Sequence, residues 1–208
     1  MNNNLPSWLQ IHINIFDIEQ IHHAFIISGS KGIGKSILIE SLAEKILNNK
    51  ISLENNPDFH NLKILDEKKL IGINQIHELR DKLYESSFLG KNKVAVINEI
   101  EKISIDGLNA ILKILEEPPK NTYFLLSTNF LNQIPLTIQS RCFDLRISSP
   151  EIKQSLEWLS DYQTKDALKA LEITNNLPFK AKFFLDNNLL DARDNFVKDV
   201  SGIIKEGK

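Results

Sequence analysis

The sequence predicts an α/β fold: a parallel five-stranded sheet flanked by helices, followed by a small all-α segment. Short apolar runs alternate with longer stretches in which apolar residues recur at helical spacing, as strand–helix–strand units require. A glycine-rich stretch joins the first such run to the first helical pattern. After Ser148-Ser149-Pro150 the strand-like runs stop and only helical periodicity continues.

Strands are predicted at Ala24–Ser28 (AFIIS) and at 62–65, 94–98, 123–127 and 143–147. Their continuous apolar character suits strands covered on both faces, the usual state of a parallel sheet. Between them, Lys35–Leu47 carries Ile37, Leu38, Leu42, Ile46 and Leu47 at helical spacing. Ile73, Ile76, Leu79 and Leu83 form a second amphipathic stripe. Leu108, Ile111, Leu112 and Leu115 form a third, stopped by Pro118-Pro119 because proline has no amide hydrogen to extend a helix. These observations set one domain at 1–150 and a small helical domain at 151–208. The latter is built around Leu156, Trp158, Leu159, Ala167, Leu168, Leu171, Phe183 and Phe184.

An apolar fraction of 42% with 25% charged residues is ordinary for a globular protein, and a net charge of −2 argues against a dominant basic nucleic-acid surface. No apolar run reaches the ~18 residues of a membrane span. The first twenty residues lack the basic start and apolar stretch of a signal peptide. A single cysteine, Cys142, excludes an internal disulfide and a multi-cysteine zinc site. The expectation is a cytoplasmic protein with no zinc and no membrane partner. His12, His22, His23, His60 and His77 show no ligand spacing. Cys142 reads as a small buried apolar residue, and Lys91 and Lys93 as a solvated loop around Gly90.

Gly29-Ser30-Lys31-Gly32-Ile33-Gly34-Lys35-Ser36 fits G-x-x-x-x-G-K-[ST], with a predicted strand before it and a helix after it. Glycines let backbone N–H groups turn inward around an anion, and the helix start adds its positive dipole end. In this pattern Lys35 reaches the β- and γ-phosphates and the Ser36 hydroxyl ligates Mg²⁺. The predicted strand 94–98 ends in Asn98-Glu99, where many ATPases of this type have Asp-Glu. Asn98 still accepts a hydrogen bond but brings no charge to a magnesium shell. Unit charges about 5 Å apart interact by roughly 3 kcal/mol at an effective dielectric near 20, so the difference is large enough to be felt. Glu99 is the candidate water-activating base.

From Lys93 onward the chain carries Asn109-Ala110, Leu112-Lys113, Leu115-Glu116-Glu117-Pro118-Pro119 and then Ser140-Arg141-Cys142. His23-Ala24, Pro57-Asp58-Phe59-His60-Asn61-Leu62 and Ile71–Leu83 belong to the same pattern. From about residue 22 to 147 it resembles the clamp-loader ATPases of bacterial replication, members of the AAA+ family. The LEEPP-plus-SRC pair is the specific signal. The resemblance implies that Arg141 is an arginine finger offered in trans to a neighbour's ATP. It also implies that Asn129 contacts the γ-phosphate and that LEEPP is structural, with Glu116 and Glu117 as solvated helix-end charges. The implied partners are gamma/tau and delta clamp-loader subunits and, through the complex, the sliding clamp and primed DNA. The implied cofactor is ATP with Mg²⁺.

Three departures from the family pattern shape the expectation. Asn98 replaces an acid, Phe179 stands beside Lys180 where a second sensor arginine is expected, and 48–58 has no four-cysteine module. Together they favour a stator-like subunit with a weak ATPase of its own over a gamma/tau-like motor or a stand-alone P-loop phosphotransferase. The family's third, helical collar domain is expected to be absent or reduced.

Overall fold

The computed structural model of the chain describes residues 5–15, 22–65, 68–89 and 91–206, with the side chains of 15 and 202–206 left aside; Gly90 lies outside them. Two compact units divide the chain: 1–30 with 35–147, and the loop tip 31–34 with 148–208.

The first unit is a five-stranded parallel sheet. Its strands are β1 (Ala24–Ser28), β2 (Phe59–Leu62), β3 (Lys93–Ile97), β4 (Thr122–Thr128) and β5 (Phe143–Arg146), in the order β2-β3-β4-β1-β5. The helices are α1 (Ser7–Ile15), α2 (Lys35–Leu47), α3 (Ile73–Tyr84), α4 (Ile105–Glu116) and the short α5 (Leu136–Gln139). Every residue of β1 and β3 is buried, as their unbroken apolar runs foretold. The core joins Ile26, Ile97, Phe124 and Leu126 of the sheet to Ile76, Leu79 and Leu83 of α3 and to Ile111, Ile114 and Leu115 of α4. The Ser104 hydroxyl caps α4 by accepting from the Gly107 N–H at 3.2 Å, and the helix ends just ahead of Pro118. Ile37 and Ile73, placed on the apolar stripes, lie at the exposed edge of theirs.

The edges differ from expectation. The second strand runs over Phe59–Leu62, three residues ahead of the predicted 62–65, paired from Phe59↔Val94 to Leu62↔Ile97. On an edge strand only one ladder and partial burial are needed, so His60 and Asn61 fit where an apolar run was sought. Lys93 opens β3 instead of lying in a solvated loop. It is 5% exposed, and its ammonium donates to the carbonyls of Leu83 and Glu85 that close α3. Helix α1 has no counterpart in the sequence reading. It packs against α2, burying Trp8 and Leu9, and the Lys45 ammonium donates to the Ile13 carbonyl at 2.8 Å.

The second unit is helical: α6 (Ile152–Trp158), α7 (Thr164–Ile173), α8 (Pro178–Asp186) and α9 (Leu189–Glu206). Its core is Leu159, Ala167, Ala170, Leu171, Ala181 and Leu190. Asn175 and Asn176, at φ of 54° and 55°, make the turn between α7 and α8, and Pro178 opens α8 with its preset φ. Asn176 ties this turn to the start of the unit, donating to the Pro150 carbonyl at 2.6 Å and accepting from the Ser155 hydroxyl at 2.8 Å. Leu168 and Phe183 are exposed rather than core.

Candidate nucleotide site and arginine surface

The glycine-rich loop follows the C-terminal end of β1 and runs into α2. Gly32 and Gly34 have φ of +94° and +110°, values L side chains rarely adopt, so the loop's shape depends on glycine there. Within the helical unit the Phe179 N–H donates to the Gly32 carbonyl at 3.1 Å, and a Cβ on Gly32 would sit 2.8 Å from the Lys180 Cβ. The Phe179 ring packs on Trp158 with centroids 4.4 Å apart.

Lys35 is 8% exposed, and its ammonium donates to the carbonyls of Gly29 (2.7 Å) and Ser30 (3.1 Å) and to Asn129 Oδ1 (2.8 Å). Asn129, just past β4, is the hub of the site. Its Nδ2 donates to Glu99 Oε1 and Glu101 Oε1, both at 3.2 Å, and its main-chain N–H donates to Glu101 Oε1 at 3.0 Å. Glu99 sits at φ 53° immediately after β3 and Asn98, and its other oxygen pairs with the Lys102 ammonium at 2.6 Å. Asn98 Oδ1 accepts from the Ser127 hydroxyl at 3.2 Å, and the same hydroxyl accepts from the Glu99 N–H at 3.1 Å. Glu101 Oε2 is buried, and no group among the described residues donates to it. Ser36 is exposed at the start of α2. Among the described residues no three His, Cys, Asp or Glu side chains converge as a metal cluster. The structure therefore brings Lys35, Glu99 and Asn129 together, with Asn98 joined to Glu99 through the Ser127 hydroxyl.

Arg141 is elsewhere. It precedes β5, whose Phe143 pairs with Phe25 of β1, so Arg141 stands level with His23 at the N-terminal end of the sheet. The loop begins after Ser28 at the other end, about six residues or ~20 Å away. Its Nη2 pairs with Glu116 Oε1 at 2.7 Å, and its Nη1 donates to the Thr137 carbonyl at 2.7 Å. The Glu116 carboxylate is thus half of an ion pair and not merely a solvated helix end. The two side chains are 35% and 43% exposed, and a pair that open to water contributes no more than ~1 kcal/mol. Such a pair orients Arg141 without committing it. Neighbouring Cys142 packs at the margin of the core, and burial pushes its thiol up to about 12, so it is no nucleophile at neutral pH.

A family model described as "DNA polymerase III, delta subunit" matches residues 5–151. The chain belongs to that family. Among relatives of the delta-subunit family, the chain is 32% identical over 213 residues to DNA polymerase III subunit delta-prime of Buchnera aphidicola subsp. Schizaphis graminum, covering 93% of this chain and 64% of the relative. It is also 32% identical over 197 residues to DNA polymerase III subunit gamma of the same organism, covering 76% and 53%. The chain thus spans less than two-thirds of the length of these relatives. Among solved structures it is similar to a gamma-subunit-related DNA polymerase III protein of Thermotoga maritima. The TM-score is 0.60 at 24% identity, over 80% of this chain and 58% of that one, a likeness of fold. The α/β architecture read from the sequence therefore stands, and the resemblance drawn from LEEPP and SRC resolves into membership of the DNA polymerase III delta-subunit family.

Three residues of this delta-family chain escaped the sequence. Glu101 looked like one more charge after a strand, and its partner lies 28 positions away. Lys93 and Asp58 are buried charges whose acceptors and donors are largely backbone groups, which leave no mark in a side-chain pattern. Asp58 accepts from the Ser87 hydroxyl and from the N–H groups of Phe88 and Leu89, each at 2.9 Å. For Lys93, a lone lysine directly abutting an apolar run was the available signal.

Proposed function

We propose that the chain acts as a delta-prime-like subunit of the DNA polymerase III clamp loader, supporting ATP-dependent loading of the sliding clamp on primed DNA in the cytoplasm. Its partners in this reading are gamma/tau and delta subunits. The observation that carries it is the position of Arg141. A half-exposed guanidinium at the end of the sheet opposite its own phosphate loop is too far away to serve that loop, and it is presented to a neighbour. There a fixed guanidinium stabilises charge on the transferring phosphoryl group. The domain roles follow: 1–150 as the AAA+ domain and 151–208 as its lid.

The chain's own site fits a nucleotide phosphate through Lys35 and the main-chain N–H groups that follow Gly29, whose own N–H donates to the Thr128 carbonyl at 3.3 Å, with Asn129 alongside. Bound ATP would supply the phosphoryl group. For magnesium the donors are Ser36 and neutral Asn98, a poorer set than one containing a carboxylate. Glu99, the candidate base, is held by Lys102 and Asn129, and Lys35 must leave loop carbonyls to meet a phosphate. These features support a site that binds nucleotide and turns it over slowly. The match to a gamma subunit favours one second reading, a motor ATPase of the same complex.

The deciding experiment combines the protein with the gamma/tau and delta subunits of its cell, clamp and primed DNA. Clamp-stimulated ATP turnover should collapse with Arg141→Ala while the isolated wild-type protein hydrolyses little. Unchanged turnover removes the finger assignment, and brisk hydrolysis by the isolated protein favours the motor.

A further inference from the structure

Glu101 is the carboxylate that grips Asn129 twice. Its Oε1 accepts from both the main-chain N–H and the side-chain Nδ2 of Asn129, at 3.0 and 3.2 Å. Those bonds fix the end of β4 and the side-chain amide together. An asparagine amide has two orientations of nearly equal shape, distinguished only by what faces its oxygen and its nitrogen. Reversed, Asn129 would set its oxygen against two carboxylates and its NH₂ against the Lys35 ammonium. The carboxylates therefore turn Oδ1 toward Lys35, 2.8 Å away. Glu99 shares this task but is already engaged by Lys102. Glu101 keeps its second oxygen buried with no donor among the described residues, so its bonds to Asn129 are the ones that hold it.

We propose that Glu101 is the positioning residue of the phosphate site: it aims Asn129 at Lys35 and so sets how strongly the loop prefers a triphosphate over a diphosphate. The lysine that reaches a terminal phosphate is released from, or retained by, the oxygen that Glu101 orients. The second half of this proposal rests on the nucleotide-binding reading above; the first half does not.

The test uses the full chain in two arms. Without nucleotide, the rate of reductive methylation at Lys35 is followed by mass spectrometry, with Lys31 and Lys91 as internal references. Glu101→Ala leaves Glu99 as the one carboxylate on Asn129 and loosens the amide, so Lys35 should react up to about tenfold faster, while Glu101→Gln, which keeps an acceptor, falls between. Should the alanine variant fail to fold, the glutamine variant is scored by the same criterion. Equal rates in variant and wild type overturn the proposal. With Mg²⁺ and either ATP or ADP, Lys35 released from Asn129 meets a terminal phosphate at less cost, so the preference for triphosphate over diphosphate should grow by up to about tenfold in Glu101→Ala. An unchanged ratio overturns the second half. Failure of the wild type to bind either nucleotide sinks the nucleotide reading and that half with it, and the labelling arm still decides whether Glu101 aims Asn129.

Discussion

The two ends of the sheet treat charge in opposite ways. At the C-terminal end Lys35, Asn129, Glu99 and Lys102 bond to one another and to the loop's own carbonyls. At the N-terminal end Arg141 lies on the surface, held by one carboxylate and one carbonyl in a pair that water weakens. A closed polar network rigidifies and specifies a site, and a ligand must break bonds to enter it. A weakly paired surface guanidinium has little to give up when a stronger anion arrives. On the proposed function, this contrast makes the phosphate loop the quiet part of the molecule and the arginine surface its working part.

The sharpest way to break the contrast is to remove each cation in turn. Arg141→Ala should lower clamp-stimulated ATP turnover of the reconstituted complex by about 10³-fold, the lower range for an arginine finger, whereas Lys35→Ala should change it by about twofold or less. Turnover measured on the same preparations checks both, and equal losses would erase the distinction. Next in size, Asn98→Asp should raise magnesium-dependent hydrolysis by the isolated protein by up to about 100-fold, the rate equivalent of a ~3 kcal/mol charge interaction. A flat response would mean that the closed network, and not the missing charge, keeps the site slow.

Smaller effects test the loop itself. Gly32→Ala asks for a Cβ 2.8 Å from the Lys180 Cβ at a φ of +94°, which should destabilise the chain by about 1–3 kcal/mol in chemical denaturation. The complex's turnover should persist as long as the protein stays folded. Acid should act most gently. Burial holds His12, His23 and His60 below the ordinary imidazole value; at His60 the Lys82 and Lys93 charges add to this and the Asp58 and Glu85 carboxylates oppose it. The unfolded chain then takes up protons first, so stability is full above about pH 6.5 and is lost as pH falls through that value toward the folded ones. Melting should drop by about 2–4 °C per 1 kcal/mol lost between neutral and mildly acidic pH. His60→Leu should flatten that slope.

Burial decided what could be seen in advance. Strand β1 was legible to the residue because both faces of a central parallel strand must be apolar. Strand β2 was misplaced because an edge strand is fixed by its pairing with Val94–Ile97, which its own side chains do not report. The phosphate loop was legible because its spacing is a chemical requirement. The family resemblance singled out Asn129 but not the hub it forms; its partners come from positions 35, 99 and 101 and meet only when β1, β3 and β4 lie side by side. Helix α1 carries Trp8 and Leu9 on too short an apolar stripe to stand out, and its docking on α2 gives those residues their burial.

The strand order also dictates a timetable. Ala24 of β1 pairs with Phe124 of β4, a hundred positions downstream, and β1's other neighbour comes later still. At the ~5–20 residues per second of translation, the first strand leaves the ribosome about 5–20 s before either flank exists. Meanwhile β2 and β3, only some thirty positions apart, can join first. A newborn chain therefore exposes AFIIS, its most water-averse strand, through that interval. Chaperone protection during synthesis should concentrate on this segment and end once β4 has emerged.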